Sequence, residues 1–149
     1  MSSIPVDQLK SMVGQELGVS EPFLITQERV DAFADATEDH QWIHVDPERA
    51  RSGPFGGPIA HGYLTLSLLP HLLGGTFQVS GIRMGVNYGL NRLRFPAPVP
   101  VGSSVRARFT LNDVKDVEGG AQMLVGFEIT VDGAAKPAAA GEAVYNYYV

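Results

Sequence analysis

The sequence contains no cysteine among its 149 residues, which excludes a disulfide framework, a thiolate nucleophile and a cysteine-ligated zinc site. Acidic residues outnumber basic ones by 16 to 11, an excess that argues against nucleic acid as a partner. The chain has no run of about 20 apolar residues and no secretion signal at its start, so we expect no contact with a membrane. These absences favour a cytoplasmic protein that folds as a single domain over residues 1–149.

The distribution of apolar residues predicts an α+β fold. Thr26 is a suitable N-cap for one helix, and Asp46-Pro47 marks the start of another. Residues 61–75 are apolar nearly all round and predict one long buried helix, which Pro70 should kink or shorten. The chain after Gly75 is predicted to be strand, with one strand opening at Arg92, and its alternating apolar residues predict an antiparallel sheet that curls around this helix. The alternating positions include Val105, Ala107, Phe109, Met123, Val125, Phe127, Ile129 and Val131.

Side chains suited to catalysis are concentrated between residues 38 and 62. Asp39 and His44 lie between two predicted helices and should therefore occupy a short connecting loop. On one continuous helix they would point about 140° apart and could not act together. In a loop, a carboxylate and an imidazole can converge on one water molecule as a general acid and base. The spacing alone also fits a capping or solvated loop carboxylate beside a packed core histidine.

Two other chemistries find less support in the sequence. His40 and His44 have the spacing of two metal ligands on a helix, but the helix start at Asp46-Pro47 interrupts such a helix. His61 would complete a three-ligand site only if the fold brought it there. Ser67 lacks the glycine-flanked turn of a serine hydrolase. We therefore expect no metal, no other cofactor and no serine nucleophile.

Gly62 follows a glycine-rich loop and begins the predicted buried helix. Backbone amides at a helix start have no partner within the helix and lie at the positive end of its dipole. Glycine also lets a ligand carbonyl approach closely, so the Gly62 amide is a candidate oxyanion donor. The alternative is a glycine that only relieves crowding between the helix and the sheet.

Taken together, these residues and their flanks resemble the signature of the MaoC-like hydratases, the (R)-specific enoyl-CoA hydratase family. The matching segments are Asp39, His44, Val45-Asp46-Pro47, Gly53-Pro54-Phe55, Ile59-Ala60-His61-Gly62, Asn87 to Asn91 and Arg94 to Val99. The resemblance implies the hot-dog fold, in which a curved antiparallel sheet wraps around a central helix. It also implies a homodimer with its active site at the subunit interface.

By the same resemblance, Asp39 and His44 would activate water, and the Gly62 amide would polarise a thioester carbonyl. Water would add reversibly to a trans-2-enoyl thioester and give an (R)-3-hydroxyacyl thioester, carried by CoA or by acyl carrier protein. Seven arginines, with no acidic residue among them, lie between Glu48 and Asp113 and suit the phosphates of CoA.

The chain departs from the family pattern beside the predicted dyad. Gln41-Trp42 stands where the family usually has Asn-Pro, so the Gln41 amide would orient the dyad or the substrate. His61 and Ser67 are further candidates for substrate contacts. Two other functions stay compatible with the sequence: a hot-dog acyl-CoA thioesterase, and a non-catalytic module that binds an acyl thioester.

Overall fold

The computed structural model describes residues 2–149, which form a mixed α and β architecture. The strands are β1 (Ser2–Pro5), β2 (Glu16–Val19), β3 (Phe23–Leu24), β4 (Phe77–Ser80), β5 (Met84–Arg94), β6 (Ser104–Val117), β7 (Gly120–Val131) and β8 (Ala139–Tyr148). The helices are α1 (Gln27–Thr37), α2 (Trp42–Val45), α3 (Pro47–Arg51), α4 (Gly62–Ser67) and α5 (Leu69–Gly74), and a 3-10 helix covers Val6–Met12.

The main sheet is antiparallel throughout, as the alternating pattern predicts. Its strand order is β2-β6-β7-β8-β5, and β3 also pairs with β6. Along β6 the predicted apolar positions, such as Val105 and Phe109, are fully buried, whereas Arg106 and Arg108 between them are exposed. This alternation gives the sheet one apolar face that packs against helices and one polar face. A separate parallel pair joins β1 to β4, which the sequence pattern did not indicate.

The predicted long buried helix is two short helices, α4 and α5, that meet at Leu68. Pro70 has no backbone N–H to continue the helical hydrogen bonding, so the expected interruption is confirmed. The leucines of both helices join the sheet in one core, but Tyr63 is 66% exposed, so the buried face is narrower than expected. No helix within residues 2–149 has the length and hydrophobicity of a transmembrane segment.

Strand β5 forms one edge of the main sheet. The prediction that a strand opens at Arg92 is wrong, because β5 begins at Met84 and ends at Arg94. Its one described neighbour is β8, so its other side offers unpaired backbone groups. Apolar side chains along the strand, Met84, Val86, Tyr88 and Leu90, are exposed as well. An edge of this length and composition is suited to pairing with another strand.

Candidate active site

The backbone between α1 and α2 determines where Asp39 lies. Thr26 is the N-cap of α1 as predicted, because its hydroxyl accepts from the Arg29 amide, and Glu38 is the C-cap. Glu38 adopts a left-handed conformation with φ of 64°, the C-cap geometry that reverses the chain direction at a helix end. Asp39 follows directly and is exposed, and its Oδ1 lies 3.4 Å from the Gln41 amide nitrogen.

His44 lies on the one-turn helix α2, so the expectation that it occupies a loop is wrong. The turn forms because the Gln41 carbonyl accepts from the backbone amides of His44 and Val45, before Asp46 caps the next helix as predicted. Gln27 adds a 2.8 Å hydrogen bond from its side-chain amide to the His44 carbonyl. The helical turn therefore anchors the main chain that carries the imidazole.

The imidazole of His44 is oriented by a main-chain carbonyl. Its Nδ1–H donates to the Ile59 carbonyl at 2.7 Å, and because a carbonyl can only accept, Nδ1 carries the proton and Nε2 keeps a lone pair. The side chain is buried, with 7% of the residue exposed. Burial lowers the pKa of His44 below its ordinary value and His61 lowers it further, although the Ile59 bond and Asp39 raise it.

His61 packs directly against His44. The two rings are stacked, with centroids 3.9 Å apart and planes at 21°, and Phe33 contacts the His61 ring at a centroid distance of 4.9 Å. The His61 Nε2–H donates to the Asp39 carbonyl at 2.9 Å. Its Nδ1 is buried and has no hydrogen-bond partner among the described residues. His61 thus connects Asp39 to His44 although neither is near it in sequence.

Asp39, His44 and His61 form a cluster of potential metal ligands. One carboxylate oxygen and one nitrogen from each ring lie within 4.8 Å of one another. However, the lone pairs of an imidazole lie in its plane, and two nearly parallel rings 3.9 Å apart cannot both direct a lone pair at one ion about 2 Å away. The geometry favours a shared water molecule as the occupant, because the free His44 nitrogen and the Asp39 carboxylate both accept hydrogen bonds.

Gly62 and His44 line the same cavity, which has a volume of about 340 Å³. Gly62 is the first residue of α4, so its amide has no partner within the helix. The Phe95 ring lies over it: a Cβ at position 62 would approach Phe95 ring carbons to 3.0 Å. The cavity wall continues through Phe55, Ile59, Ala60, Thr65, Pro96, Ala97, Pro98, Val99 and Ala138.

Five candidates from the sequence do not line this cavity: Asp39 and His61, which lie beside His44, and Gln41, Ser67 and His40. Gln41 is exposed, and its hydrogen bonds to Asp39 and His44 are made by its backbone amide and carbonyl. Ser67 lines a different groove, between α4–α5 and β5–β8, and its hydroxyl donates to the Tyr63 carbonyl at 2.6 Å. His40 is bound to Asp35 at the surface, at 2.9 Å, so the His40 and His44 pair is not brought together as metal ligands.

Two contributors to the site were not identified from the sequence. Phe95 belongs to a recognised motif, yet nothing in the sequence indicated that its ring would cover Gly62. The Ile59 carbonyl orients His44, but a backbone group leaves no signal in residue identity. Both depend on contacts between distant parts of the chain.

The two histidines with shifted pKa values should titrate on opposite sides of 6.5, the ordinary value. We expect the pKa of His44 to lie below it, because burial disfavours the cation, and the pKa of exposed His40 to lie above it, because Asp35 accepts its hydrogen bond. Since folding lowers the pKa of His44, its contribution to stability is present above 6.5 and is lost as the pH falls through the folded value. NMR titration of the histidine rings measures both pKa values. A pKa of His44 above 6.5 would contradict the prediction that burial is the largest influence on it.

Comparisons with known proteins agree with this architecture. Residues 8–132 match the MaoC like domain. The 3-hydroxyacyl-thioester dehydratase Z of Mycobacterium tuberculosis is 52% identical over 143 residues, which cover 95% of each chain. An (R)-specific enoyl-CoA hydratase from Aeromonas caviae is 36% identical over 104 residues, or 70% of this chain and 73% of that protein. The solved structure of an (R)-hydratase from A. caviae, involved in PHA biosynthesis, has 30% identity and a TM-score of 0.73, and the match covers 89% of this chain and 94% of that one.

The antiparallel sheet and its buried α4–α5 helices are therefore the hot-dog fold, and the resemblance noted in the sequence is confirmed. The chain belongs to the MaoC-like dehydratase family.

Proposed function

We propose that this hydro-lyase adds water reversibly to a trans-2-enoyl thioester and yields an (R)-3-hydroxyacyl thioester. The observation that carries this proposal is the convergence of an acid and base pair with an unpartnered amide: His44 and Gly62 line one cavity, and Asp39 lies beside His44. The names of the two relatives, a 3-hydroxyacyl-thioester dehydratase and an (R)-specific enoyl-CoA hydratase, support the same reaction in its two directions.

In the hydration direction, Asp39 and His44 hold the attacking water. Water donates one hydrogen bond to the Asp39 carboxylate and the other to Nε2 of His44, which is free because Nδ1 is bound to Ile59. His44 is neutral at neutral pH, since burial lowers its pKa, and it can accept the proton as the water oxygen bonds to C3. The dyad then returns a proton to C2, so that the elements of one water molecule are added and nothing else is consumed.

The Gly62 amide stabilises the charge that develops on the substrate. As the water oxygen bonds to C3, electrons move from the double bond toward the thioester oxygen. An amide at the start of α4 can donate a hydrogen bond to that oxygen from the positive end of the helix dipole. Because Gly62 lines the His44 cavity, the donor and the base act on the same molecule.

A depression with three arginines adjoins the cavity and offers partners to the phosphates of the thioester carrier. Arg92, Arg94 and Arg108 line this depression of about 980 Å³ on the polar face of the sheet, together with Glu128 and Glu142, and Arg108 is paired with Glu16. Pro96 belongs both to this depression and to the wall of the His44 cavity. Guanidinium groups bind phosphate oxygens through paired hydrogen bonds. We therefore place the phosphate-bearing part of CoA, or of the acyl carrier protein prosthetic group, on this side of the molecule.

We propose that the protein is a homodimer in which β5 pairs with its copy. The edge strand has 11 residues, its second side is unpaired within the described chain, and it exposes Val86, Tyr88 and Leu90. Pairing would satisfy the free backbone groups and bury these side chains. It would also place the groove beside Ser67, which is lined by β5, at the subunit contact. A cytoplasmic location stays a prediction from the sequence.

Removing either member of the dyad should abolish most turnover. We expect Asp39→Asn and His44→Gln to lower kcat by about 10²- to 10⁴-fold, because each removes a group that transfers or holds a proton. The measurement is the loss of conjugated-thioester absorbance of crotonyl-CoA and of longer enoyl-CoA substrates, with a parallel assay for free thiol. Asp35→Asn, which removes an exposed carboxylate on α1, is the matched control and should retain activity.

Full activity in either dyad variant would contradict the mechanism. Release of free thiol would indicate a thioesterase, and substrate binding without turnover would indicate a binding module.

Crowding the oxyanion donor should lower turnover without unfolding the protein. The methyl group of Gly62→Ala would press against Phe95 at 3.0 Å and narrow the approach of the thioester oxygen to the amide. We expect kcat to fall by about 10²-fold. Gly74→Ala is the control, because a Cβ at position 74 meets no atom within 4 Å. Equal kcat values for the two variants would remove Gly62 from the mechanism.

A charge placed on β5 should break the dimer. Tyr88 is 67% exposed, so Tyr88→Glu should leave the protomer folded while bringing two carboxylates to the strand contact. Analytical ultracentrifugation should then show a shift from dimer to monomer. Leu24→Glu, at another exposed apolar residue, is the control and should remain dimeric. A wild-type monomer, or a Tyr88→Glu dimer as stable as the wild type, would be inconsistent with pairing through β5.

A further inference from the structure

His61 is a buried polar side chain next to Asp39 and His44, yet it does not line the cavity. The residue is 2% exposed and lies beneath His44 and Phe33, while the cavity wall is formed by other residues. Its Nε2–H is already used, because it donates to the Asp39 carbonyl at 2.9 Å. A substrate contact of the kind expected from the sequence therefore does not explain its place in the structure.

We infer that His61 is a positioning residue that holds both members of the dyad, the Asp39 backbone through its Nε2–H and the His44 imidazole through ring stacking. This inference rests on the proposed function, because it assigns His61 a role in the work of Asp39 and His44. It makes no claim that His61 contacts substrate or transfers a proton.

The hydrogen bond matters because little else holds Asp39. The residue is exposed and follows the left-handed Glu38, and its carboxylate is contacted only weakly by the Gln41 amide, at 3.4 Å. The hydrogen bond from His61 joins residues 22 positions apart and holds the Asp39 backbone against the start of α4. Since α4 also carries Gly62, one side chain sets the position of Asp39 relative to the proposed oxyanion donor.

The unpartnered Nδ1 of His61 indicates what the histidine is needed for. A buried polar atom without a hydrogen bond is costly, and such atoms in folded proteins call for an explanation. A phenyl ring would fill the same space and stack on His44 without an orphan nitrogen. It could not donate to Asp39, so the donor at Nε2 is what histidine adds at this position.

Stacking also influences the protonation of His44. The titratable groups that act on the His44 imidazole within the described chain are Asp39, which raises its pKa, and His61, which lowers it. The other neighbours are uncharged. The Ile59 carbonyl accepts from the His44 ring, Thr65 lines the same cavity, Gln27 from α1 bonds the His44 main-chain carbonyl, and Phe33 from α1 packs on the His61 ring. Removing the imidazole of His61 should therefore let His44 take up a proton at higher pH.

Two substitutions separate the hydrogen bond from the ring. His61→Phe keeps a stacked ring and removes the donor, and we expect kcat to fall by about 10²-fold while KM stays within about twofold, because only the dyad geometry is disturbed. His61→Gln keeps an N–H donor close to the position of Nε2, and it should recover most of kcat. In both variants the acid limb of the kcat profile should move to higher pH. His71→Phe, which changes an exposed histidine on α5, is the matched control and should change neither quantity.

A second measurement does not depend on turnover. Histidine ring NMR should show the His44 titration shifted to higher pH in both His61 variants and unchanged in His71→Phe. Absence of enoyl-thioester hydration by the wild-type protein would refute the proposed function. The NMR titration would still test the effect of His61 on His44. If His61→Phe does not fold, the His44 titration in His61→Gln tests the inference. Wild-type kcat in His61→Phe, or equal losses in both variants with an unchanged His44 titration, would overturn the inference.

Discussion

Burial of the short helices α4 and α5 against the apolar face of the sheet is the constraint on which the rest of the structure depends. Leu64, Leu68 and Leu72 share one core with Phe109 of β6, and each such side chain contributes about 1.5–3 kcal/mol when removed from water. This packing fixes where α4 begins. The position of the Gly62 amide, and of His61 immediately before it, is therefore a consequence of core packing and does not depend on a flexible loop.

The site is oriented largely by main-chain groups. His44 donates to the carbonyl of Ile59, and His61 donates to the carbonyl of Asp39. Each ring thereby has one nitrogen committed to the backbone and one left free, and the two rings are stacked. A backbone carbonyl is present whatever the side chain, and it cannot rotate independently as a side chain does. The fold therefore sets the ring tautomers of His44 and His61. The result is a pair of stacked, buried imidazoles, and burial lowers the pKa of His44.

Much of the fold could be predicted from local patterns. The Thr26 cap, the interruption at Pro70 and the alternating strands β6 and β7 all follow from short-range rules and are present. The early part of β5 has the same alternation, with apolar residues at Met84, Val86 and Tyr88, but no local pattern shows that this strand lies at the edge of the sheet with those side chains exposed. The one-turn helix α2 is too short to produce a periodic signal.

In the site, too, local patterns could be predicted and long-range contacts could not. Asp39, His44 and Gly62 could be named because they fall within a recognisable spacing. The contact between His61 and the Asp39 backbone joins residues 22 positions apart through a carbonyl, and neither residue type nor spacing encodes it. Ser67 was nominated as a neighbour on the same predicted helix, but it faces a different groove. Sequence patterns predicted the candidate site residues, whereas the packing of separate segments determines which side chains share a cavity.

The two edges of the main sheet differ in a way that limits how far it can grow. At one end lies the long strand β5, and at the other the four-residue β2, whose pairing is interrupted by a register shift. In the proposed dimer, pairing β5 with its own copy would occupy both long edges and leave only short, irregular edges outside, so the assembly would close instead of continuing into a filament. Pro96, Pro98 and Pro100 reinforce this limit, since they supply no amide to extend a hydrogen-bonded ladder beyond Arg94. Because Pro96 and Pro98 also wall the His44 cavity, the residues that protect the sheet from open-ended association are the same ones that shape the site.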